Sequence, residues 1–165
     1  MTTTDVTSLG PGPGTYALVL SSPCEAEISV GRLGVLAIRQ GFYVYVGSAF
    51  GPGGVRGRVA RHVIHGRTRH WHVDYLWPTL RVDEIWYSHD PRRREHDWAR
   101  ILRSSRSGSV PLRRFGASDC RCDAHLLFFE QAPSIGAFRE QLHTRIRGHH
   151  SVRRVRSELR HELVQ

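Results

Sequence analysis

The sequence predicts one small domain of the α+β class. Its 165 residues suffice for one compact domain and leave little for a second. Short runs rich in β-branched and aromatic residues, bounded by Gly or Pro, predict strands. Longer segments with apolar residues three and four positions apart predict helices. Hydrophobic residues make up 39% of the chain, with four Trp and six Phe, which is enough for an ordinary core.

The first half of the chain is predicted to be mainly extended. The predicted strands are residues 15–21, 27–30, 35–39 and 42–46. Pro23 ends the first of these runs. Gly41 lies between the last two, so we expect them to form a hairpin. Residues 1–13 are rich in Thr, Gly and Pro and are expected to be a flexible leader.

Helices predominate in the second half. The predicted helices begin near Val55, cover residues 70–76, run from Asp90 to about Ser105, and run from Ser134 to about Ile146; strands are predicted at 82–88 and 125–129. Asp90 followed by Pro91 is typical of a helix start, an N-cap before proline. The folded domain is placed at residues 14–146. Residues 147–165 form a basic C-terminal tail, expected to be either a solvated helix or disordered.

Composition narrows the class of protein. No apolar run approaches the length of a membrane span, and the N-terminus lacks a secretory pattern. Three cysteines (Cys24, Cys120 and Cys122) cannot form a paired disulfide framework, which favours a reducing compartment. We therefore expect a cytoplasmic protein with no membrane partner, and infer no obligate protein partner.

The charge balance favours a polyanionic partner such as DNA. The net charge is +9 and the isoelectric point about 10.6. All 24 basic residues are Arg, whose guanidinium grips phosphate bidentately. A GC-rich genome produces the same replacement of Lys, and explains the missing Lys better than function does. The net charge is informative either way.

Two predicted helices carry residues suited to phosphate chemistry. Arg58 and His62 lie four positions apart, hence on one helix face, where they can neutralise a phosphate and move a proton; an arbitrary pair of this kind is more often merely solvated. Glu95 shares the apolar stripe of its helix with Trp98 and Leu102. A carboxylate there needs a divalent metal or an arginine as partner, or leans out to water at the favourable helix N-terminus. Position alone leaves these readings open.

Further residues could bind nucleic acid or zinc. Basic and aromatic residues alternate around Arg69 and Trp71 and again at Arg113–Arg114, a pattern suited to phosphate contact and base stacking, although a lone aromatic is more often core. Cys120, Cys122 and His125 resemble part of a zinc site that His70 or His72 would complete. The Cys spacing is tighter than usual, so a turn at residues 118–119 is the favoured interpretation.

The order of these pieces resembles the GIY-YIG nuclease superfamily. The matching residues are Gly14-Thr15-Tyr16, Tyr45-Val46-Gly47 with Ser48, the helix carrying Arg58 and His62, and the helix carrying Glu95. Together with HWHVDYL and FGASDCRCDAHLLFF, they are most similar to the DUF123 or Uri-like branch. The resemblance covers roughly residues 14–129. Each tripeptide alone is weak evidence for this resemblance, whereas the order of the two tripeptides together with Arg58 and Glu95 is specific to the family.

The resemblance implies a fold, an activity and a set of roles. The fold is a three-stranded antiparallel sheet flanked by helices, here with an inserted β segment at about residues 22–41. The activity is phosphodiester hydrolysis with one Mg²⁺ or Mn²⁺ ion. Glu95 would bind the metal and Arg58 would stabilise phosphate charge. Tyr16, Tyr45 and His62 would surround the attacking water, and the sequence leaves open which takes its proton. Ser48, Arg61, Arg69, Trp71, Arg113 and Arg114 are the expected nucleic-acid contacts.

The chain departs from the family pattern at three places. Thr15 replaces the usual Ile or Val, residues 22–41 are inserted, and the longer loop at 51–54 lets Arg56 compete with Arg58 for the phosphate. Arg58 is preferred because it lies four residues before His62. The leading hypothesis is a DNA endonuclease, with single-stranded or flapped DNA as plausible substrates. The alternatives are a binding module of the same fold without turnover and a zinc-stabilised adaptor.

Overall fold

The computed structural model describes residues 6–64 and 70–157, which form an antiparallel sheet with helices on both faces. The strands are β1 (Gly14–Ser22), β2 (Ala26–Val30), β3 (Gly34–Ile38), β4 (Gly41–Ala49), β5 (Arg81–Ser88), β6 (Leu126–Phe129) and β7 (Arg153–Arg156). The helices are α1 (Gly54–Ile64), α2 (Glu95–Ser104) and α3 (Ile135–Arg145). Short 3₁₀ turns occupy Val6–Ser8, Gly31–Leu33 and His72–Leu76. The expected mixture of helices and strands is confirmed.

The main sheet has five strands in the order β6-β4-β1-β5-β7, all antiparallel, so the expectation of three strands is wrong. The wholly buried β6 extends the sheet beside β4. At the other edge, β7 pairs with β5 and places Val155 against the core. Neither a helix nor disorder therefore describes residues 153–156 of the basic tail. One apolar residue among three arginines is a weak strand signal, and pairing with β5 decides the conformation.

The inserted segment forms its own two-stranded sheet, in which β2 pairs with β3. The predicted hairpin between residues 35–39 and 42–46 is therefore wrong. Gly31 and Gly34 adopt positive φ angles of 46° and 119° and turn the chain between β2 and β3. All nine residues of β4 instead take partners on β1.

The two faces of the sheet carry separate clusters of buried side chains. Because successive residues of a strand point to opposite faces, Tyr16 and Leu18 of β1 face α1 while Ala17 and Val19 face the other way. The first cluster includes Tyr43, Tyr45, Val55, Val59 and Leu76. The second includes Val44, Trp86, Trp98, Leu102 and Phe138 and is covered by α2 and α3.

Residues 6–13 pack against α1 rather than forming a flexible leader. Leu9 is fully buried, and the backbone amide of Val55 donates to the carbonyl of Gly12 over 3.0 Å. The Arg56 guanidinium donates to the carbonyls of Leu9 (2.8 Å) and Thr7 (3.0 Å). These contacts hold the entry to β1 against the first turn of α1.

Helix α2 begins at Glu95, five residues after the predicted N-cap. Asp90 does cap a turn, since its carboxylate accepts from the Arg92 amide over 2.9 Å. It also accepts from the His150 amide over 3.1 Å, so it ties the chain after α3 to this turn and the helix starts later. Ser134 caps α3 as predicted, accepting from the Ala137 amide. No helix within residues 6–64 and 70–157 is long and apolar enough to cross a membrane.

Candidate active site

A cleft of about 380 Å³ opens beside the paired tripeptides. Its walls come from β1, β4, α1, residues 70–72, the start of α2 and the loop before β6. Six of the residues expected from the sequence line it: Tyr16, Tyr45, Ser48, Arg58, Trp71 and Glu95. The tertiary structure thus brings together side chains separated by up to 79 positions in the sequence.

The two tyrosines lie on the same face of the sheet because of the register between β1 and β4. Tyr16 lies opposite Gly47, and Tyr45 lies opposite Leu18, so the rings are diagonal neighbours. A Cβ atom on Gly47 would lie 2.4 Å from the Tyr16 ring, closer than any real contact. Because Gly47 has no side chain, the Tyr16 ring can occupy the space beside it.

Tyr16 begins a buried chain of hydrogen bonds. Its hydroxyl lies 2.9 Å from His62 Nε2, and His62 Nδ1 lies 3.1 Å from Asp74 Oδ1. The ionised carboxylate can only accept, so Nδ1 carries a proton; in the neutral form of the ring Nε2 is then unprotonated and accepts from the tyrosine hydroxyl. The oxygen of Tyr16 keeps its lone pairs for a donor in the cleft. His62 itself is 1% exposed and lies behind the cleft wall.

Asp74 was not among the residues singled out from the sequence. Burial by itself would raise the pKa of its carboxyl, but hydrogen bonds from His62 and from the amides of Trp71 and His70 outweigh burial and lower that pKa. The amide bonds to Oδ2 measure 2.9 and 3.0 Å. Asp74 is therefore an ionised anchor for His62. It lies within HWHVDYL, but only the packing of the 3₁₀ turn on α1 identifies its partner.

Burial raises the pKa of both cleft tyrosines above the ordinary value near 10. For Tyr16 the neighbouring Tyr45 adds to this effect, while Arg58 opposes it. For Tyr45 the Asp74 carboxylate adds to burial, and Arg58 again opposes. Both side chains are thus neutral phenols at neutral pH. A tyrosine here can pass a proton along a chain more readily than it can stand as a phenolate.

The competition between Arg56 and Arg58 is decided by their neighbours. The Arg56 guanidinium is bound to backbone carbonyls of residues 7 and 9 and does not line the cleft. The half-buried Arg58 lines it, with its guanidinium carbon 4.7 Å from the centre of a Trp71 ring. Stacking on this ring orients a cation toward the cleft while leaving its N–H groups for an anion.

Thr15 holds the start of α2, and with it Glu95, at the cleft. Thr15 is fully buried on the face opposite Tyr16, and its hydroxyl accepts from the Arg94 amide over 3.2 Å. This bond fixes the first turn of α2 beside β1. The Glu95 side chain is 14% exposed, and its Oε2 is buried with no hydrogen-bond partner within the described parts of the chain. A buried, unpartnered carboxylate oxygen fits a hard divalent cation such as Mg²⁺ or Mn²⁺.

A second group of possible metal ligands lies at the edge of the cleft, and three of its four residues line the cleft. It consists of His96, Cys120, Cys122 and His125, with ligand atoms all within 4.8 Å of one another. The predicted fourth ligand, His70 or His72, is wrong; His72 Nδ1 accepts from the Gly116 amide over 2.8 Å, and His96 takes the place beside the cysteines. Burial and the neighbouring Cys120 raise the pKa of the Cys122 thiol to about 11.

The other expected nucleic-acid contacts are scattered. The Ser48 hydroxyl accepts from exposed Arg93, 3.2 Å away, which the sequence interpretation did not include. Arg61 is exposed, with its guanidinium carbon 5.8 Å from the centre of a Trp71 ring, and Arg113 is exposed as well. Arg114 instead braces the cysteine loop, with Nη1 donating to the Cys120 carbonyl over 2.6 Å. Arg69 lies outside the described residues.

Comparison with known proteins gives a family without an assigned activity. The family described as "Domain of unknown function DUF123" matches residues 15–158. No curated protein matches the chain, and no solved structure matches it. The match begins in the first tripeptide and ends just after β7, so it covers the five-stranded sheet except Gly14, together with Glu95 and the group of two cysteines and two histidines. The chain therefore belongs to the DUF123 family.

Proposed function

We propose that this protein is a divalent-metal-dependent endonuclease that hydrolyses DNA phosphodiester bonds, with a site of the GIY-YIG type. One observation carries the proposal. A single cleft combines a proton-accepting chain that starts at Tyr16, the arginine Arg58, and the unpartnered carboxylate oxygen of Glu95. A protein that only binds nucleic acid gains nothing from a carboxylate beside the phosphate.

Each residue of the cleft has a separate task. Glu95 would hold the cation, which supplies Lewis-acid stabilisation of a phosphate oxygen. Arg58 would donate to the non-bridging oxygens and stabilise the charge that develops as water attacks. Tyr45, buried next to the His62 ring with centroids 6.2 Å apart, would orient the phosphate and shield the histidine from bulk water.

The proton of the attacking water leaves through Tyr16. The tyrosine oxygen accepts that proton while its own proton passes to His62 Nε2, and the new imidazolium is stabilised by the Asp74 carboxylate. Water oxygen forms a bond to phosphorus, the bond from phosphorus to the leaving sugar oxygen breaks, and that oxygen takes a proton from solvent water. This transfer never requires a free tyrosinate, which agrees with the raised pKa of Tyr16.

The surroundings of the cleft suit a nucleic-acid backbone. Arg93 and Arg61 flank it, and Trp71 offers a half-buried ring at its wall. Guanidinium groups would neutralise adjacent phosphates, and the ring would stack on an unpaired base. This combination favours single-stranded or branched DNA over intact duplex.

The proposal is tested by cleavage of labelled single-stranded, flapped and duplex DNA with Mg²⁺, Mn²⁺ or EDTA. We expect metal-dependent cutting by the wild-type chain and none by Glu95→Gln. Tyr16→Phe removes only the hydroxyl that begins the hydrogen-bonded chain to His62, and it is expected to lower the cleavage rate by about 10²–10⁴-fold.

Matched variants separate chemistry from folding. Glu130→Gln and Tyr43→Phe make the same two chemical changes at residues outside the cleft. Glu130 forms an exposed ion pair with Arg39. Both control variants should cut DNA at the wild-type rate. If the wild-type chain binds these DNAs but cuts none with either metal, the protein is a binding module and the proposed activity is wrong.

A further inference from the structure

Four side chains from two distant segments converge at the edge of the cleft. His96 belongs to the first turn of α2, whereas Cys120, Cys122 and His125 belong to the loop before β6. His96 Nδ1 lies 3.2 Å from Cys122 Sγ, and Cys120 Sγ lies 3.6 Å from His125 Nε2. Two thiols and two imidazoles are a ligand set that suits Zn²⁺ rather than Mg²⁺.

The spacing of these atoms fits a tetrahedral ion. Bond lengths of about 2.3 Å to sulfur and 2.0–2.1 Å to nitrogen at tetrahedral angles separate ligand atoms by roughly 3.3–3.8 Å. Of the two nitrogen–sulfur separations, 3.6 Å lies within this range and 3.2 Å lies just below it, and all four atoms lie within 4.8 Å of one another. Side-chain shifts of no more than about 1–1.5 Å would bring all four ligand atoms to tetrahedral separations.

We propose that His96, Cys120, Cys122 and His125 bind one structural zinc ion in the wall of the cleft. Two thiolates and two neutral imidazoles balance the charge of the ion and fill its four positions. No position is left for water, so the ion holds the structure and does not act on a substrate. The inference does not depend on the proposed hydrolysis.

The loop around the cysteines is already arranged to hold the ligands. Arg114 adopts a positive φ of 71°, unusual for a residue with a side chain, and its amide donates to the carbonyl of Asp123 over 2.6 Å. Its guanidinium donates to the carbonyls of both Cys120 and Cys122. These bonds fold residues 114–123 into a closed loop whose two thiols face α2.

The ion would join this loop to the helix that carries Glu95. With Nδ1 of His96 facing the cysteines, its Nε2 lies 3.6 Å from Glu95 Oε1. A zinc-bound histidine commonly directs its other nitrogen at a carboxylate. Zinc would thus fix the cysteine loop and hold the His96 ring beside Glu95 at the cleft.

The test is the zinc content of the full chain, purified without a metal-affinity step and measured by elemental analysis. We expect one zinc per chain in the wild type and none in Cys120→Ser/Cys122→Ser. Cys24→Ser removes the exposed cysteine far along the chain and is expected to retain one zinc. Wild-type protein that holds no zinc even after incubation with ZnCl₂ would overturn the proposal, as would full zinc in the double variant.

A second measurement remains informative if the double variant does not fold. Wild-type chain reconstituted with Co²⁺ is expected to show the visible bands of a tetrahedral ion and thiolate-to-cobalt charge transfer, and the single variant Cys122→Ser to lose about half of that charge-transfer intensity. Octahedral cobalt bands without charge transfer would contradict the site. The metal measurements and the cleavage assay have independent outcomes. The zinc site can be absent from a chain that cleaves DNA, and it can be present in a chain that does not.

Discussion

The missing side chain of Gly47 leaves the space that the Tyr16 ring occupies. A Cβ atom there would lie 2.4 Å from both Cζ and the hydroxyl oxygen of that ring. The Tyr16 residue is 1% exposed and its hydroxyl is hydrogen-bonded to His62, so the ring cannot shift without disturbing its neighbours. Adding one carbon at position 47 would therefore move the Tyr16 hydroxyl, which begins the hydrogen-bonded chain to His62.

Gly47→Ala is expected to displace the Tyr16 ring and to destabilise the fold by about 1–3 kcal/mol, the usual cost of overpacking. Cleavage should fall with it because the tyrosine hydroxyl leaves its place. Urea denaturation followed by tryptophan fluorescence measures the first effect, and the DNA assay measures the second.

Gly57→Ala is the matched control, since a Cβ on this α1 residue meets nothing nearer than the Pro52 carbonyl at 3.6 Å. Alanine in a helix is favoured over glycine by about 1 kcal/mol, so this variant should be as stable as the wild type or more stable. Equal stability of the two alanine variants would contradict the assigned contact.

The packing of α2 on the chain after α3 depends on a neutral histidine. The Trp98 indole donates to His149 Nε2 over 2.9 Å, and His149 Nδ1 donates to the His150 carbonyl over 2.6 Å. Burial lowers the pKa of His149, although the His150 carbonyl and the Asp90 carboxylate oppose burial. Protonation of Nε2 would leave the Trp98 indole without an acceptor.

Stability should therefore fall as the pH drops below about 6.5, the ordinary histidine pKa, because the unfolded chain binds a proton that folded His149 refuses. This contribution is fully present above that pH and decreases toward the lower folded pKa. The slope for one proton is at most about 1.4 kcal/mol per pH unit.

His149→Gln keeps an acceptor for Trp98 but does not titrate. Its free energy of unfolding, measured in urea from pH 7.5 to 5, should fall less steeply than that of the wild type. Parallel curves for the two proteins would show that His149 does not contribute to the pH dependence.

Charge acts over the whole molecule. With 24 Arg against 15 acidic residues, the net charge favours a polyanionic partner, and the proposed binding of DNA would release counterions. The cleft lies at the end of β4 near Ser48, beside Arg93 and Arg61, whereas Arg39 lies beyond the opposite end of that strand in an ion pair with Glu130.

The dissociation constant for DNA is expected to rise steeply with salt. Arg93→Gln and Arg61→Gln should each reduce the slope of log K against log salt by about 1, the contribution of one phosphate contact. Arg39→Gln changes the net charge equally and should leave the slope unchanged. Fluorescence anisotropy at several NaCl concentrations measures the slopes, and equal reductions in all three variants would contradict a defined binding face.

Local patterns determined much of this protein. The strands around both tripeptides, the Ser134 cap and the position of Glu95 on the buried stripe of α2 follow from side-chain periodicity and capping, which involve residues close in sequence. The helix pair of Arg58 and His62 was also placed correctly on α1. Short-range geometry suffices for such features.

Only the tertiary structure decided the contacts between distant residues. Asp74 on His62, His96 beside Cys122, and Thr15 on the start of α2 join segments that no periodicity relates. The addition of β7 was likewise settled by the open edge at β5, whereas β2 and β3 pair with each other in a separate sheet. Local sequence determines which side chains share an element, but their partners depend on how the elements pack. The reason is that burial and hydrogen bonding of one side chain depend on residues from several elements at once.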